Sequence, residues 1–330
     1  MPVEVLAKEN GLILARQDHE KIYRYLYLTR LTDEVLVKKY TQGQLQELVH
    51  SCQGEEAVAV GSGIQLRPDD YVLPSLRARA YFYMKGISSR EMMAGAYGKV
   101  TGPAQGKNTS HHLGDMKRGV ICGTGIVGGS IPLAVGVALG VKMSGRDSVV
   151  LVTFGDGATS RGDFHESLNL AAVWKLPVVF VCANNGWAMG NRTSKETAVD
   201  RISRRAAGYG MPGETVDGTD VLAVYEASAQ AIRRARAGEG PTLLECMAYR
   251  WGGHSARDPQ TYRSSEEAEE GRKYCSLAKY RTYLLNQRIL SAEDMARIED
   301  AVKREVEDAV VYSEQSAYPS PEIVATNVYA

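Results

Sequence analysis

The chain reads as an α/β protein, a mainly parallel sheet flanked by helices with a helical C-terminal tail. Three observations predict it. Residues 147–154 form an apolar run, the tight turn Gly155-Asp156-Gly157 follows, residues 163–174 carry helical sequence, and residues 177–183 are apolar again, which is one βαβ unit. An amphipathic stretch at 220–237 leads into another apolar run at 241–249. Beyond residue 265 the sequence turns charged and helical, so we divide the chain into an α/β domain at 1–265 and a helical extension at 266–330, packed on that domain or on a partner.

The remaining elements follow in chain order. Residues 17–42 read as a helix, with a loop around His50 and a second helix beginning near Glu55. Residues 69–74 lead into another loop. Ser88 and Glu91 have the spacing of a capping box for a helix over 88–97. Between Val120 and Val141 no charged residue occurs, a length that could span a bilayer. Six glycines and Pro132 instead predict a glycine-rich loop leading into a buried helix over 131–143. Ser291 and Asp294 cap a long helix reaching about Tyr312, and Pro319 and Pro321 end regular structure in a tail expected to strap a partner.

A right-handed crossover makes the two strands around Asp156 parallel neighbours, so Asp156 and Asn185 emerge together at the carboxyl edge of the sheet, where open α/β sheets bind ligands. One carboxylate, one amide oxygen and a nearby carbonyl suit Mg²⁺, which takes few protein ligands and completes its shell with phosphate and water. Gly155 and Gly157 let main-chain N–H groups approach a phosphate. The alternative is a helix-capping Asp and a turn-filling Asn pair. The full crossover and the spacing of roughly thirty residues favour the metal-diphosphate site.

Gly155-Asp156-Gly157, this spacer, and Asn184-Asn185 resemble the signature of thiamine diphosphate enzymes. The run from Gly155 to Gly190, including residues 166–177, is similar to the alpha subunit of the thiamine-dependent component of 2-oxo acid (pyruvate or branched-chain) and acetoin dehydrogenase complexes, and the resemblance extends from about Tyr23 to the tail. It implies thiamine diphosphate and Mg²⁺ as cofactors, with Asp156, the Asn185 side chain and the Trp187 carbonyl as the metal's protein ligands. It also implies Arg77 and Arg250 as diphosphate arginines, Gly155, Gly157 and Ala158 beside the cofactor, and main-chain groups of Gly125 and Val127 against its aminopyrimidine. His50 and His254 are the implied catalytic histidines; His112 matches a further family histidine. Ser255 matches a position phosphorylated in mitochondrial relatives. Residues 251–263 form a polar loop suited to a lid that orders with the cofactor.

The implied reaction cleaves a C–C bond beside a ketone carbonyl and hands the acyl or aldehyde fragment to a lipoyl group or another carrier. The resemblance covers only a diphosphate-binding domain. The glutamate that activates the pyrimidine is therefore expected from a separate beta subunit, in an α₂β₂ assembly, and this chain alone should be inactive. A lipoyl-bearing acyltransferase or an acyl carrier protein is the expected acceptor.

Four departures bear on the substrate. Leu48 stands where the family usually has an aromatic, and Leu76-Arg77-Ala78-Arg79-Ala80 replaces Tyr-Arg-x-His-Gly. Asn108-Thr109-Ser110-His111-His112 replaces Gly-Gly-Ser-Met-His, and Arg250-Trp251-Gly252-Gly253-His254 replaces Arg-Tyr-His-Gly-His. Arginine cannot exchange protons near neutrality but binds anions. Arg79, with His111, is thus expected to recognise a phosphate or carboxylate on a larger donor, as in transketolase-like glycolyl transfer from a ketose phosphate; an ion pair with the partner chain is the other reading of Arg79. A catalytically silent subunit is a third reading, opposed by the intact Asp156, Asn185, Arg77, Arg250 and His254.

Composition excludes other classes. Lysines plus arginines and aspartates plus glutamates each number 39, giving a formal net charge of zero with no basic stripe, which argues against a nucleic-acid partner. Cys52, Cys122, Cys182, Cys246 and Cys275 form no C-x-x-C pair and read as reduced thiols. Gly123-x-Gly125-x-x-Gly128 fits a dinucleotide fingerprint, but only Val120-Ile121 could precede it as a strand and no acidic residue follows at the required distance. The N-terminal segment mixes acids and bases without an apolar signal core, which predicts a cytoplasmic protein with no membrane partner.

Overall fold

The computed structural model describes residues 14–45 and 47–326. Its strands are β1 (Tyr71–Leu73), β2 (Val150–Gly155), β3 (Val178–Asn184), β4 (Trp187–Ala188), β5 (Asn191–Arg192), β6 (Gly213–Asp217) and β7 (Thr242–Met247). β4 and β5 make a small antiparallel hairpin. The other five form one all-parallel sheet in the order β1-β2-β3-β7-β6.

Strands buried on both faces read as continuous apolar runs, and their alternation shows only in what each side chain meets. Val150, Val152, Phe154, Val178, Phe180 and Cys182 face a cluster containing Ile131, Ala138, Phe164 and Leu168. These come from α5 (Ser130–Met143) and α6 (Gly162–Val173). Val149, Leu151, Val179, Val181 and Leu244 face the opposite cluster, with Ile22, Leu26, Val58, Val60, Val224 and Ala231. That layer is α1 (Arg16–Thr41), α2 (Glu56–Gly63) and α8 (Val221–Arg236), and α3 (Arg79–Met84) and α4 (Ser89–Ala96) extend it. Each fully buried valine, leucine or phenylalanine contributes about 1.5–3 kcal/mol. Every residue of α2 is buried, and a Cβ on Gly61 would lie 2.7 Å from the Val221 carbonyl of α8, so glycine sets that close approach.

The short α7 (Thr193–Glu196) follows β5, and the chain closes with α9 (Ser265–Arg272), α10 (Ser276–Asn286) and α11 (Ala292–Gln315). Tyr280, Leu284, Met295, Val302 and Val306 join the same core as Tyr23 and Leu36, so the C-terminal helices pack on α1 and α4. Both expected capping boxes form: Ser88 with Glu91 at α4, and Ser291 with Asp294 at α11. The uncharged stretch after Val120 is a loop followed by α5, and no helix among the described residues is long and apolar enough to cross a membrane.

Three elements differ from the expectation. Residues 71–73, read as a loop approach, form β1 at the sheet edge, too short to show a period. β6 carries Glu214 and Asp217 on a half-exposed edge strand and lacks an apolar run. The tail lies over this chain's own loop: the Val100 N–H donates to the Ala317 carbonyl at 3.1 Å, and the Lys99 ammonium sits 3.6 Å from the centre of the Tyr318 ring.

Candidate active site

β2 and β3 run in register, Gly155 opposite Ala183, so the residues that follow each strand reach the same edge of the sheet. Asp156 begins a 3-10 turn there, is 2 % exposed, and accepts a hydrogen bond from the Thr193 hydroxyl at the start of α7. Burial pushes its carboxyl above the usual range, partly offset by that hydroxyl and by Arg250 and Arg77.

The asparagine pair divides its work. Asn184 is structural, its amide donating to Glu245 at 2.7 Å and its oxygen accepting the Gly186 N–H at 3.1 Å. Asn185 donates to Glu55 Oε1 at 2.9 Å, which leaves its carbonyl oxygen beside the Trp187 N–H at 3.1 Å. The β4–β5 hairpin folds over the turn so tightly that a Cβ on Gly157 would lie 2.8 Å from that of Ala188. Glycine is required here by the close approach.

These groups line one cavity of about 620 Å³ together with Leu48, His50, Leu76, Arg77, His111, His112, Gly125, Val127, Gly155, Ala158 and His254. Most residues expected at a site are therefore brought together. Arg77 donates to the His254 carbonyl at 2.5 Å, while its Nε is buried without a hydrogen-bond partner, 3.9 Å from Glu55. An orphaned guanidinium donor on a cavity wall fits an anionic ligand. The oxygens of Asp156, Asn185 and Trp187 form a hard donor set fitting Mg²⁺. Among the described residues no three or more His, Cys, Asp or Glu side chains are grouped to hold a metal, and the expected Mg²⁺ set contains only one such side chain.

Two expected residues stand behind the wall. Arg250, 1 % exposed, donates to the Trp187 carbonyl at 3.4 Å, the Met189 carbonyl at 2.8 Å and the Tyr262 hydroxyl at 2.7 Å, so it braces the hairpin. Arg79, 2 % exposed, pairs with Asp33 at 2.7 Å within this chain. The expected meeting of Arg79 with a donor's anion is corrected accordingly: its guanidinium does not line the cavity and its charge is neutralised by buried carboxylates. His111 does line the cavity, 6 % exposed, and His112 accepts the Gly125 N–H at 3.2 Å.

His50 and His254 cluster with His111. The His50 ring centre lies 5.1 Å from that of His111 and 5.0 Å from that of His254, both edge-on. His50 Nδ1 is 3.0 Å from the Leu48 carbonyl, which only accepts, so this nitrogen carries the proton and Nε2 is the acceptor. His254 Nδ1 faces an Arg77 N–H at 3.4 Å, which leaves its proton on Nε2. Burial, then the nearby His111, Arg77 and His254, push His50 down to about 3, and burial with Arg77 and Arg250 pushes His254 down to about 4. Both rings are neutral near pH 7, in opposite tautomers.

Glu55 was not singled out from the sequence. Its acidic pair with Glu56 reads as ordinary first-turn charge on α2, yet Glu56 pairs with Arg30 at 2.5 Å while Glu55 lines the cavity, 3 % exposed. Burial pushes the Glu55 carboxyl up to about 7 against the pull of Arg77, Arg250 and Asn185. The loop at 251–263 is tied down by Trp251 N–H to the Gln53 carbonyl and by Arg263 to the carbonyls of Arg250, Trp251 and Gly252.

Comparison with known proteins places the whole chain in one family. The sequence profile of the dehydrogenase E1 component matches residues 23–322. The alpha subunit of acetoin:2,6-dichlorophenolindophenol oxidoreductase from Bacillus subtilis is 42 % identical over 325 residues, 98 % of this chain and 97 % of its own length. The 2-oxoisovalerate dehydrogenase alpha subunit of the same organism is 39 % identical over 326 residues, 98 % of each chain. The somatic mitochondrial pyruvate dehydrogenase E1 alpha subunit of Homo sapiens is 36 % identical over 320 residues, 96 % of this chain and 81 % of that one. With that extent of match, and with Asp156, Asn185 and Arg77 gathered on one cavity wall, the chain belongs to the dehydrogenase E1 component family, among its alpha subunits.

Proposed function

We propose that this chain supplies the diphosphate and Mg²⁺ half of a thiamine diphosphate enzyme that cleaves a C–C bond beside a carbonyl, with a 2-oxo acid or acetoin as donor. The observation that carries the reading is the single cavity that joins the Asp156, Asn185 and Trp187 oxygens, the unpartnered Arg77 Nε and the His50–His254 pair. Asp156, the Asn185 oxygen and the Trp187 carbonyl would hold the metal, and Arg77 would meet the diphosphate, with Arg250 bracing the carbonyl of Trp187 from behind. When bound, the cofactor supplies the carbanion and electron-sink chemistry. His50, with a free Nε2, would accept a hydrogen bond or proton from a reacting group, and His254, with Nε2–H, would donate a hydrogen bond to one. Leu48, Leu76, Ile126 and Val127 add apolar surface to the cavity.

Glycolyl transfer from a ketose phosphate loses its support, since Arg79 is committed to Asp33 and Glu47. A beta subunit would bring the pyrimidine-activating glutamate, a lipoyl-bearing acyltransferase would take the acyl group, and the assembly would work in the cytoplasm.

Single-turnover mass spectrometry tests this on the chain purified with its beta-type subunit, Mg²⁺ and thiamine diphosphate. A covalent cofactor adduct is expected from a 2-oxo acid or acetoin, and none from the chain alone. An adduct formed only from a ketose phosphate, or turnover by the chain alone, would overturn the reading.

A further inference from the structure

Two of the departures from the family's motifs meet in space. Position 79 carries arginine where the resembled motif has histidine, and position 111 carries histidine where it has methionine. Arg79 opens α3 and His111 lies in the 3-10 turn Ser110–His112, yet Arg79 Nη2 is 3.3 Å from His111 Nε2. The other ring nitrogen, Nδ1, is 2.6 Å from Glu47 Oε1.

Donor and acceptor chemistry then leaves the ring one state. A guanidinium only donates and a carboxylate only accepts, so Nε2 must offer its lone pair to Arg79 and Nδ1 must carry the proton to Glu47. A second proton on Nε2 would set N–H against N–H. The frame around the ring does not yield easily, since Arg79, Asp33, Glu47 and His111 are all less than 7 % exposed. Arg79 Nη1 is anchored on Asp33 at 2.7 Å and on the His50 carbonyl at 3.0 Å, and its Nη2 lies 3.5 Å from Glu47. Glu47 also accepts the Ser110 N–H at 2.8 Å and the Ser110 hydroxyl at 2.7 Å.

We propose that Arg79 is a positioning residue that holds His111 as a neutral imidazole with its proton on Nδ1, so that this wall of the cavity presents an imidazole that exchanges no proton. Proton exchange at the cavity wall is then left to His50, His112 and His254.

The electrostatics run the same way. The groups facing His111 are Glu47 from the segment before His50, Arg79 from α3, His50 across the cavity, and Ser110 and His112 on its own turn. Burial and the charges of Arg79 and His112 push the His111 ring below its ordinary range, while Glu47 pulls it up. Burial opposes ionisation of Glu47, but the hydrogen bonds from His111 and Ser110 and the charge of Arg79 hold it at about 2. The carboxylate thus stays an acceptor throughout the working range.

The consequence for catalysis rests on the proposed function, whereas the state of the ring does not. The test is imidazole ¹⁵N NMR on the assembled complex with histidine-labelled chain and unlabelled beta-type subunit. The sequence has six histidines, and His111→Gln assigns the signal. The expected His111 spectrum has a protonated Nδ1 and an unprotonated Nε2, unchanged from pH 5.5 to 8.5. Arg79→Met removes the donor to Nε2 while Glu47 remains, so the ring should begin to titrate in that range, its midpoint raised by about one unit or more. The kcat/KM profile of that variant should gain an ionisation, and Arg79→Lys should keep the ring flat. Titration of His111 in the unaltered protein, a proton on Nε2, or a flat ring in Arg79→Met would each overturn the proposal. If Arg79→Met fails to assemble, the unaltered protein and Arg79→Lys still decide. An inactive complex with the expected spectrum would refute the functional reading alone.

Discussion

Replacing Glu55 by glutamine isolates the tension at the centre of the site. The carboxyl is 3 % exposed and its folded-state value is pushed from 4.5 to about 7, chiefly by burial. A raised folded value means that the folded chain holds this proton more tightly than the unfolded chain. Below pH 4.5 both states are protonated and ionisation imposes no penalty. Between pH 4.5 and about 7 the unfolded state ionises first, so stability falls as pH rises, and above about pH 7 the penalty is constant. The shift from 4.5 to about 7 at about 1.4 kcal/mol per unit gives a penalty of about 3 kcal/mol.

Glutamine keeps the acceptor for the Asn185 amide and cannot ionise. Glu55→Gln should therefore lie within about 1 kcal/mol of the unaltered, cofactor-free chain at pH 5 and exceed it at pH 8 by up to about 3 kcal/mol. For a chain of this length that is about 4 °C in melting temperature. Differential scanning fluorimetry of both proteins from pH 5 to 9, without Mg²⁺ or diphosphate, reads this directly. Glu55→Ala serves as a contrast, because it loses the acceptor and leaves Asn185 unheld at every pH. Melting curves for Glu55→Gln that coincide with the unaltered chain at pH 8, or a constant offset that persists at pH 5, would refute the argument that a buried, reluctantly ionised carboxyl holds Asn185.

Asp156→Asn should weaken Mg²⁺-dependent binding of thiamine diphosphate while leaving the fold intact, since the amide oxygen still accepts from Thr193. Calorimetry should show an affinity loss of about tenfold or more, and unchanged Mg²⁺-dependent binding would remove Asp156 from the ligand set. The histidines should produce the opposite pH trend to Glu55. His50 and His254 are held down at about 3 and about 4, against 6.5 unfolded, so the unfolded chain takes up protons first and stability falls as pH drops below 6.5. Melting of the cofactor-free chain from pH 7 to 4.5 should flatten in the double variant His50→Gln, His254→Gln, and parallel curves for the two proteins would show that these rings are not the titrating groups.

Much of the site was legible because its residues sit on a local βαβ unit. The sequence places Asp156 and Asn185 on adjacent parallel strands, and handedness and register do the rest. Arg77, His50 and His254 come from distant segments, and only the resemblance placed them beside that edge. What stayed hidden has a common cause. Glu47, Glu55, Arg79 and Asp33 are charged residues in stretches that read as loops, helix starts or, for Asp33, the interior of a helix, where the ordinary expectation is a solvated surface. Burial of such groups depends on partners contributed by several chain segments, for example Asp33 from α1 pairing with Arg79 from α3.

Arg79 shows the same dependence on partners from distant segments. Taken singly, an arginine in a histidine's place implies a new ligand for its charge, and the ligand was sought in the substrate. The fold had already supplied one, because the cavity wall that displays His111 is built on Asp33 and Glu47, two carboxylates without another fully buried cation between them among the described residues. Burying those carboxylates without a permanent cation would cost several kcal/mol, and a histidine at position 79 could balance them only when protonated. The substitution therefore answers to the charge behind the wall, and donor choice is left to the residues that line the cavity, Leu48 and Leu76 among them.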